Sequence, residues 1–343
     1  MSIHKPIILI LTDGRPGHET QSIGISKLLN HEQSYEIQFL KIQQPSKLVK
    51  ELFKKVYSLL PQSWMLKHFL LAEQIQKLSS LSNIEFIVSA GGDTLLPNAL
   101  LKSILQYQNK KVKNIIATSL RGMPLSAFDL VFTIDESKKD IPPYIYYPIA
   151  PNKLISFNLN QDIENARKVL NLNSNSHCWT ILIGADTADV KIGCVRHWVE
   201  MLQKLSANYP NDQIIVTTSR RTPKTFERGL KNLIQQSNIQ LVLVGEGNQT
   251  PIQDLIYAAD YVVCSPDSTS MVSESLMAEK KLLVPLFIDS NLSTEFVTYY
   301  EKIKEFVVCL NDVSRVDDFS LINIRTIVHK DKLAQLFQEA LRR

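Results

Sequence analysis

The chain has 343 residues, 44% hydrophobic and 21% charged, a balance that suits a soluble globular protein long enough for two domains. Its 38 basic and 34 acidic residues leave a net charge of +4, too mild to argue for a nucleic acid partner. No stretch approaches the roughly 20 apolar residues of a membrane span, and the run in "MSIHKPIILILTDG" is too short for a signal peptide, so the expected location is cytoplasmic.

In chain order, short apolar runs alternate with helical patterns, as in parallel sheets covered by helices. "PIILILT" reads as a strand, followed by a helix from about Gln21 to Asn30, then the strand "YEIQFLKI". "IEFIVSAGGD" is a third strand, with a helix from about Leu95 to Gln108 after it, and "VKNIIATS" and "FDLVFTI" continue the series. "DIPPYIYYPIAPNKL" interrupts the alternation with Pro142, Pro143, Pro148 and Pro151 and reads as a linker. The expected domains are therefore 1–150 and 151–325, with a final amphipathic helix over Ile327 to Leu341, in a tail of residues 326–343 that packs back on the first domain. In the second half, "CWTILIGA", "DQIIVTTS", "IQLVLVGEG", "DYVVCS" and "KLLVPLF" are strands. "HWVEMLQKLSANY", "TPKTFERGLKNLIQQ" and "STSMVSESLMAE" are helices. Two α/β halves of similar size make a cleft between them the natural place for a ligand.

Chemistry concentrates at strand ends. "LTDGRPGHETQSIG" puts Asp13, Gly14, Gly17 and His18 where the first strand meets its helix. Glycines there let backbone approach an anion or a sugar face, and His18 suits proton removal near neutral pH, with Asp13 orienting it or acting as the base itself. The plainer alternative is a tight turn with His18 at a helix start. The stretch lacks the G-K-[ST] of a P-loop and the G-x-G-x-x-G of a dinucleotide site. "SAGGDTLLPNAL" looks like the G-G-D-G-T loop of lipid and NAD kinases, but no glycine separates Asp93 from Thr94. The better reading makes Gly91 and Gly92 a loop facing the cleft, with Asp93 or Thr94 capping the next helix.

Three loops of the second half suit a nucleotide. "VTTSRRTP" offers Ser219, Arg220 and Arg221 to a pyrophosphate, or a cap and two solvated arginines. "LVGEGNQTP" places Gly245 and Glu246 where backbone amides can read a base. "SPDSTSMVSESLMAEKK" puts Asp267, Ser268, Thr269, Ser270 and Met271 at a helix start and Glu274 a turn further in. Helix-start amides and hydroxyls hold phosphate, a carboxylate holds ribose hydroxyls, and a capping box is a compatible local reading. The four cysteines, Cys178, Cys194, Cys264 and Cys309, form no C-x-x-C pair and show no histidine at zinc-ligand spacing, so no metal site is expected.

Taken together, "LTDGRPGHETQSIG", "VTTSRRTP" and "SPDSTSMVSESLMAEKK" resemble the mitochondrial-fission ELM-type family, over nearly the whole chain. Its bacterial members look like GT-B glycosyltransferases of lipopolysaccharide or lipooligosaccharide core synthesis. The resemblance implies two facing Rossmann-like domains. The C-terminal domain would hold a nucleotide-sugar on Ser268 to Ser270, Glu274 and Arg220 or Arg221. The N-terminal domain would present Gly14, Gly17 and His18 to a glycan or lipid-linked acceptor, as in the similarly laid out peptidoglycan glycosyltransferase with its Gly-rich loop ending in histidine. It implies no cofactor and no catalytic metal. "SAGGDTLLP" departs from the family pattern. Two other classes stay open: a non-catalytic membrane-associated adaptor, and a sugar-nucleotide epimerase. The segment 45–78 mixes six lysines with Leu48, Phe53, Leu59, Leu60, Trp64 and Phe69, a composition that suits either packing on its own domain or peripheral contact with the inner face of a membrane.

Overall fold

The computed structural model describes residues 5–81, 83–108, 111–173, 175–311, 319, 322, 324 and 326–342. The chain divides into two compact units, Met1–Ile155 with Lys330–Arg343, and Ser156–His329. The boundary falls five residues beyond the one expected at 150/151, and the expected end of the second domain at 325 lies outside the described residues.

The first unit is a six-stranded parallel sheet in the order β2-β1-β3-β4-β5-β6. Its strands are β1 (Ile7–Thr12), β2 (Glu36–Lys41), β3 (Ile84–Ala90), β4 (Lys113–Ala117), β5 (Leu130–Thr133) and β6 (Tyr144–Tyr146). β1 is buried at every position, as a central strand covered on both faces requires. The helices are α1 (Pro16–Leu29), α2 (Lys47–Lys55), α3 (Gln62–Leu66), α4 (Ala72–Ser80) and α5 (Leu95–Tyr107).

Three local expectations are corrected here. α1 begins at Pro16, not near Gln21, because proline is pre-set for the first helical position and its missing N–H costs nothing there. Gly17 and His18 therefore lie in a helical turn. The proline-rich segment also carries a strand: among the described residues β6 pairs only with β5, and proline is tolerated beside an edge strand. Finally, Thr94 sits at the N-cap position of α5, but its hydroxyl donates back to Ala90 and Gly91 carbonyls and does not cap, and Asp93 is engaged elsewhere.

The segment 45–78 folds as three short helices. Phe53, Met65, Leu66, Phe69 and Leu70 join the core of the unit. Leu48 (84% exposed), Leu52, Leu59 (77%), Leu60 and Trp64 face outward. Among the described residues no helix is long and apolar enough to cross a membrane.

The second unit repeats the plan in the order β10-β9-β7-β11-β12-β14. The elements are α6 (Leu159–Val169), β7 (Cys178–Ile183), β8 (Val190–Lys191), α7 (Val195–Asn208), β9 (Gln213–Thr218), α8 (Lys224–Leu233), β10 (Ile239–Val242), α9 (Ile252–Ala258), β11 (Tyr261–Cys264), α10 (Thr269–Met277), β12 (Lys281–Leu286), β13 (Asn291–Leu292), α11 (Thr294–Ile303) and β14 (Val308–Asn311). β8 and β13 form a separate antiparallel ribbon. The core gathers Trp179, Ile181, Trp198, Leu202, Val216 and Leu283. The final helix α12 (His329–Arg342) belongs from Lys330 onward to the first unit, where Phe337 stacks on Phe132 at 6.3 Å between ring centroids. The strand order reverses between β1 and β3 in one sheet and between β7 and β11 in the other. In open parallel sheets, ligands bind outside the strand C-termini at such points.

Candidate functional site

At the reversal of the first sheet, the β1–α1 and β3–α5 turns meet. Gly14 adopts φ +78°, which a side chain would resist, and the Arg15 N–H donates to Asp13 Oδ1 at 3.1 Å, closing a side-chain turn. Asp13 Oδ2 lies 2.8 Å from His18 Nδ1, with the Asp13 side chain 1% exposed and that of His18 29% exposed. The carboxylate thus holds the Nδ1 side of the ring, the arrangement by which a buried acid orients an imidazole. Gly91, at φ +87°, lies so close that a Cβ there would overlap the imidazole. Gly17 is different: a Cβ on it would meet nothing within 4 Å.

Asp93 of the second turn accepts from Lys50 Nζ at 2.6 Å and pairs with Arg15 Nη2 at 3.1 Å. Burial pushes its carboxyl up, but the Lys50 hydrogen bond and the charges of Lys50, Arg15 and Arg121 outweigh that and hold it below the usual carboxylate range. The stabilisation is therefore present above the ordinary aspartate pKa and fades as pH falls through the depressed one. The sequence offered Asp93 only as a helix cap, and gave Lys50 and Arg121 no part in a site. A lysine 43 residues from its aspartate leaves no local signal.

In the second unit, two of the three loops expected to act together, the β9–α8 loop and the one before α10, converge on the end of β7. Asp267, with a fully buried side chain, accepts from Ser265 Oγ (2.6 Å), Ala185 N (3.2 Å) and Arg221 Nη2 (2.8 Å). Ser265 Oγ in turn accepts from Gly184 N at 2.8 Å, and a Cβ on Gly184 would collide with the Asp267 carboxylate. Thr222 Oγ1 donates to the Gly184 carbonyl at 2.6 Å and accepts from Ser219 N at 2.9 Å, which fastens the β9–α8 loop over the same strand end. Ser268 is the N-cap of α10, accepting from Met271 N at 3.4 Å. Thr269 and Ser270 are exposed on its first turn, with Met271 and Glu274 partly buried beyond. Ser270 and Glu274 stand four residues apart and share one helix face.

This geometry sorts the expected ligand groups. Asp267 is a fastening inside the protein, with every oxygen turned to protein donors. Arg221 is tied to it, although its side chain stays 52% exposed, and Arg220 is exposed. In the β10 loop, where backbone amides were expected to read a base, the Gly245 N–H donates to Glu227 Oε1 at 2.9 Å, and Glu246 forms a surface pair with Lys231 at 2.8 Å. Buried Glu227, on α8, also accepts from Thr218 Oγ1 and so ties β9 to the β10 loop. The sequence showed only an acidic residue in the first turn of a helix, which ordinarily faces water.

Solved structures share this plan. UDP-GlcNAc 2-epimerase from Methanocaldococcus jannaschii is 13% identical, with 97% of this chain and 99% of that one covered at a TM-score of 0.54. E. coli ADP-heptose LPS heptosyltransferase II is 12% identical, with 98% of each chain covered and a TM-score of 0.47. The family 9 glycosyl transferase from Veillonella parvula is 8% identical over 100% and 99%, at 0.42. At these identities the likeness is one of fold, GT-B-like with two Rossmann-like units, and the epimerase carries it. No curated protein matches the chain. The sequence profile described as mitochondrial fission ELM1 matches residues 16–334, a span that includes the α1 turn, the β9–α8 loop and α10. The chain belongs to the mitochondrial fission ELM1 family.

Proposed function

We propose that the protein is a glycosyltransferase that moves a sugar from a nucleotide-sugar to a glycan or lipid-linked acceptor of the cell envelope, of lipopolysaccharide or lipooligosaccharide core type. The observation that carries the reading is the cluster at the end of β7, where the β9–α8 loop and the capped start of α10 are fastened together at the strand-order reversal. The first turn of α10 offers hydroxyls and a partial positive charge to a diphosphate, with Arg220 and Arg221 as counter-charges and Glu274 for the ribose. Stabilising the leaving diphosphate in this way needs no metal. In the first unit, His18 held by Asp13 is the base for the acceptor hydroxyl, and Gly14 and Gly17 keep its approach open.

The test is a thermal-shift screen of nucleoside diphosphates and nucleotide-sugars. A ligand at about 100 times its Kd adds about 2.7 kcal/mol to the unit that binds it. One nucleotide should raise the melting temperature of the wild type and fail to do so in Glu274→Ala. No shift with any nucleotide would favour a non-catalytic adaptor. Isomerisation of the sugar-nucleotide without acceptor would identify an epimerase.

A lipid-linked acceptor also accounts for the outer face of 45–78. Leu48 and Leu52 lie four residues apart on α2, followed by Leu59, Leu60 and Trp64, with exposed Lys47, Lys55 and Lys67 around them. Apolar side chains rimmed by lysine suit the peripheral surface of an anionic bilayer. The protein should co-sediment with anionic phospholipid vesicles, and Leu48→Ser/Leu52→Ser should lower the bound fraction at unchanged melting temperature. A protein that stays in the supernatant would remove the membrane from this reading.

A further inference from the structure

Along the chain, no cysteine announced a metal site. Folding changes that at the start of α7. Cys194 is its N-cap residue and His197 lies three residues on, so both stand on one face of the first turn. Asp289 arrives from the turn after β12, 95 residues from Cys194. The Cys194 thiol, a His197 ring nitrogen and an Asp289 carboxylate oxygen all lie within 4.8 Å of one another.

Several features hold this arrangement in place. The Asp289 carboxylate accepts from Cys194 N at 2.9 Å and lies 2.7 Å from His197 Nδ1. The imidazole stacks on Phe287 with 5.7 Å between centroids. Gly193, at φ +88°, lets the chain pass where a Cβ would crowd Phe287 and Asp289. The β8–β13 ribbon, with Val190 and Lys191 against Leu292 and Asn291, ties together the two segments that supply the three groups. Of the four cysteines only Cys194 is exposed, so its thiol is open to an ion from solution.

We propose that Cys194, His197 and Asp289 form a binding site for a divalent transition ion of the zinc class. One thiolate, one imidazole and one carboxylate match the ligand types of tetrahedral zinc, whereas magnesium and calcium take oxygen ligands. On binding, the Cys194 thiol releases its proton to solvent, the ion takes the place of the His197–Asp289 hydrogen bond with the ring proton on the nitrogen that does not ligate, and the three side chains replace three of the ion's waters. The fourth position remains with water. Such an ion would clamp the turn after β12 to the start of α7, and the inference is independent of the transferase reading.

The probe is Co²⁺, followed by Zn²⁺ competition, on chelator-stripped full-length protein. One equivalent of Co²⁺ should produce a thiolate charge-transfer band and the visible bands of a tetrahedral ion, and Zn²⁺ should displace it. Cys194→Ser should abolish the charge-transfer band. His197→Gln and Asp289→Asn should each weaken binding by more than the about 10- to 100-fold that loss of an outer hydrogen-bond partner costs. Zn²⁺ should also protect Cys194 of the wild type from iodoacetamide, read by mass spectrometry, a measurement that needs no variant to fold. A charge-transfer band that persists in Cys194→Ser, or alkylation of Cys194 at the same rate with and without Zn²⁺, overturns the site.

Discussion

Replacing His18 with alanine is expected to slow sugar transfer by about 10²- to 10⁴-fold, the usual worth of a positioned general base, while nucleotide affinity in the second unit stays unchanged. The separation follows from where the groups sit. His18 and Asp13 belong to the first sheet, whereas Ser268, Arg221 and Glu274 belong to the second. Asp13→Asn should come close to the same loss, because an amide facing Nδ1 no longer fixes which ring nitrogen carries the proton. Gly91→Ala is a third route to the same defect, since its Cβ would displace the ring. The measurements are turnover with the nucleotide-sugar found by the thermal screen, and nucleotide affinity by calorimetry. If His18→Ala lost both in equal measure, the histidine would be a structural element of the fold and not the base.

The largest stability effect is expected at Asp267. Asp267→Ala removes the acceptor for two buried donors, the Ala185 N–H and the Ser265 hydroxyl, at a cost of about 1–3 kcal/mol each for a polar group left unmatched. The Arg221 pair adds little, because a half-exposed guanidinium recovers water. The sum is about 2–6 kcal/mol, and Asp267→Asn, which keeps the shape and one oxygen, should lose about half of that. Buried Trp179 and Trp198 lie in the second unit, so tryptophan fluorescence during urea unfolding reports chiefly on it. A change below about 0.5 kcal/mol in Asp267→Ala would mean that the loops are held by other means. Nucleotide affinity should fall with stability in this variant, unlike Glu274→Ala, where affinity alone should fall.

Much of the architecture was legible locally. β1, β7 and β11 read as apolar runs because a central parallel strand is buried on both faces and admits little else. β6 did not, because an edge strand of three residues between prolines has neither length nor periodicity to betray it. The composition of the basic segment 45–78 suited packing and membrane contact alike; Pro61 and the turn before Ala72 divide it into short helices, and burial of Phe53, Met65 and Phe69 decides which side faces the core. Nor did anything local distinguish Arg220 from Arg221, although one is tied to Asp267 and the other faces water.

The sequence by itself determined two parallel α/β halves, the placement of glycines and hydroxyls at strand ends, and the helix that begins after Ser268. Each of these is written within about ten to fifteen residues, the range over which propensity, capping and periodicity act. Only the tertiary structure decided which of those groups meet. Strand order brings Arg221 to Asp267 across 46 residues, Lys50 to Asp93 across 43, and Asp289 to Cys194 across 95. It also turned Glu227 from a helix-surface acid into a buried tie between two loops. A side chain's partner depends on which strands lie side by side, and that is settled by burying apolar faces of the whole sheet, not by the residues next to it in the chain.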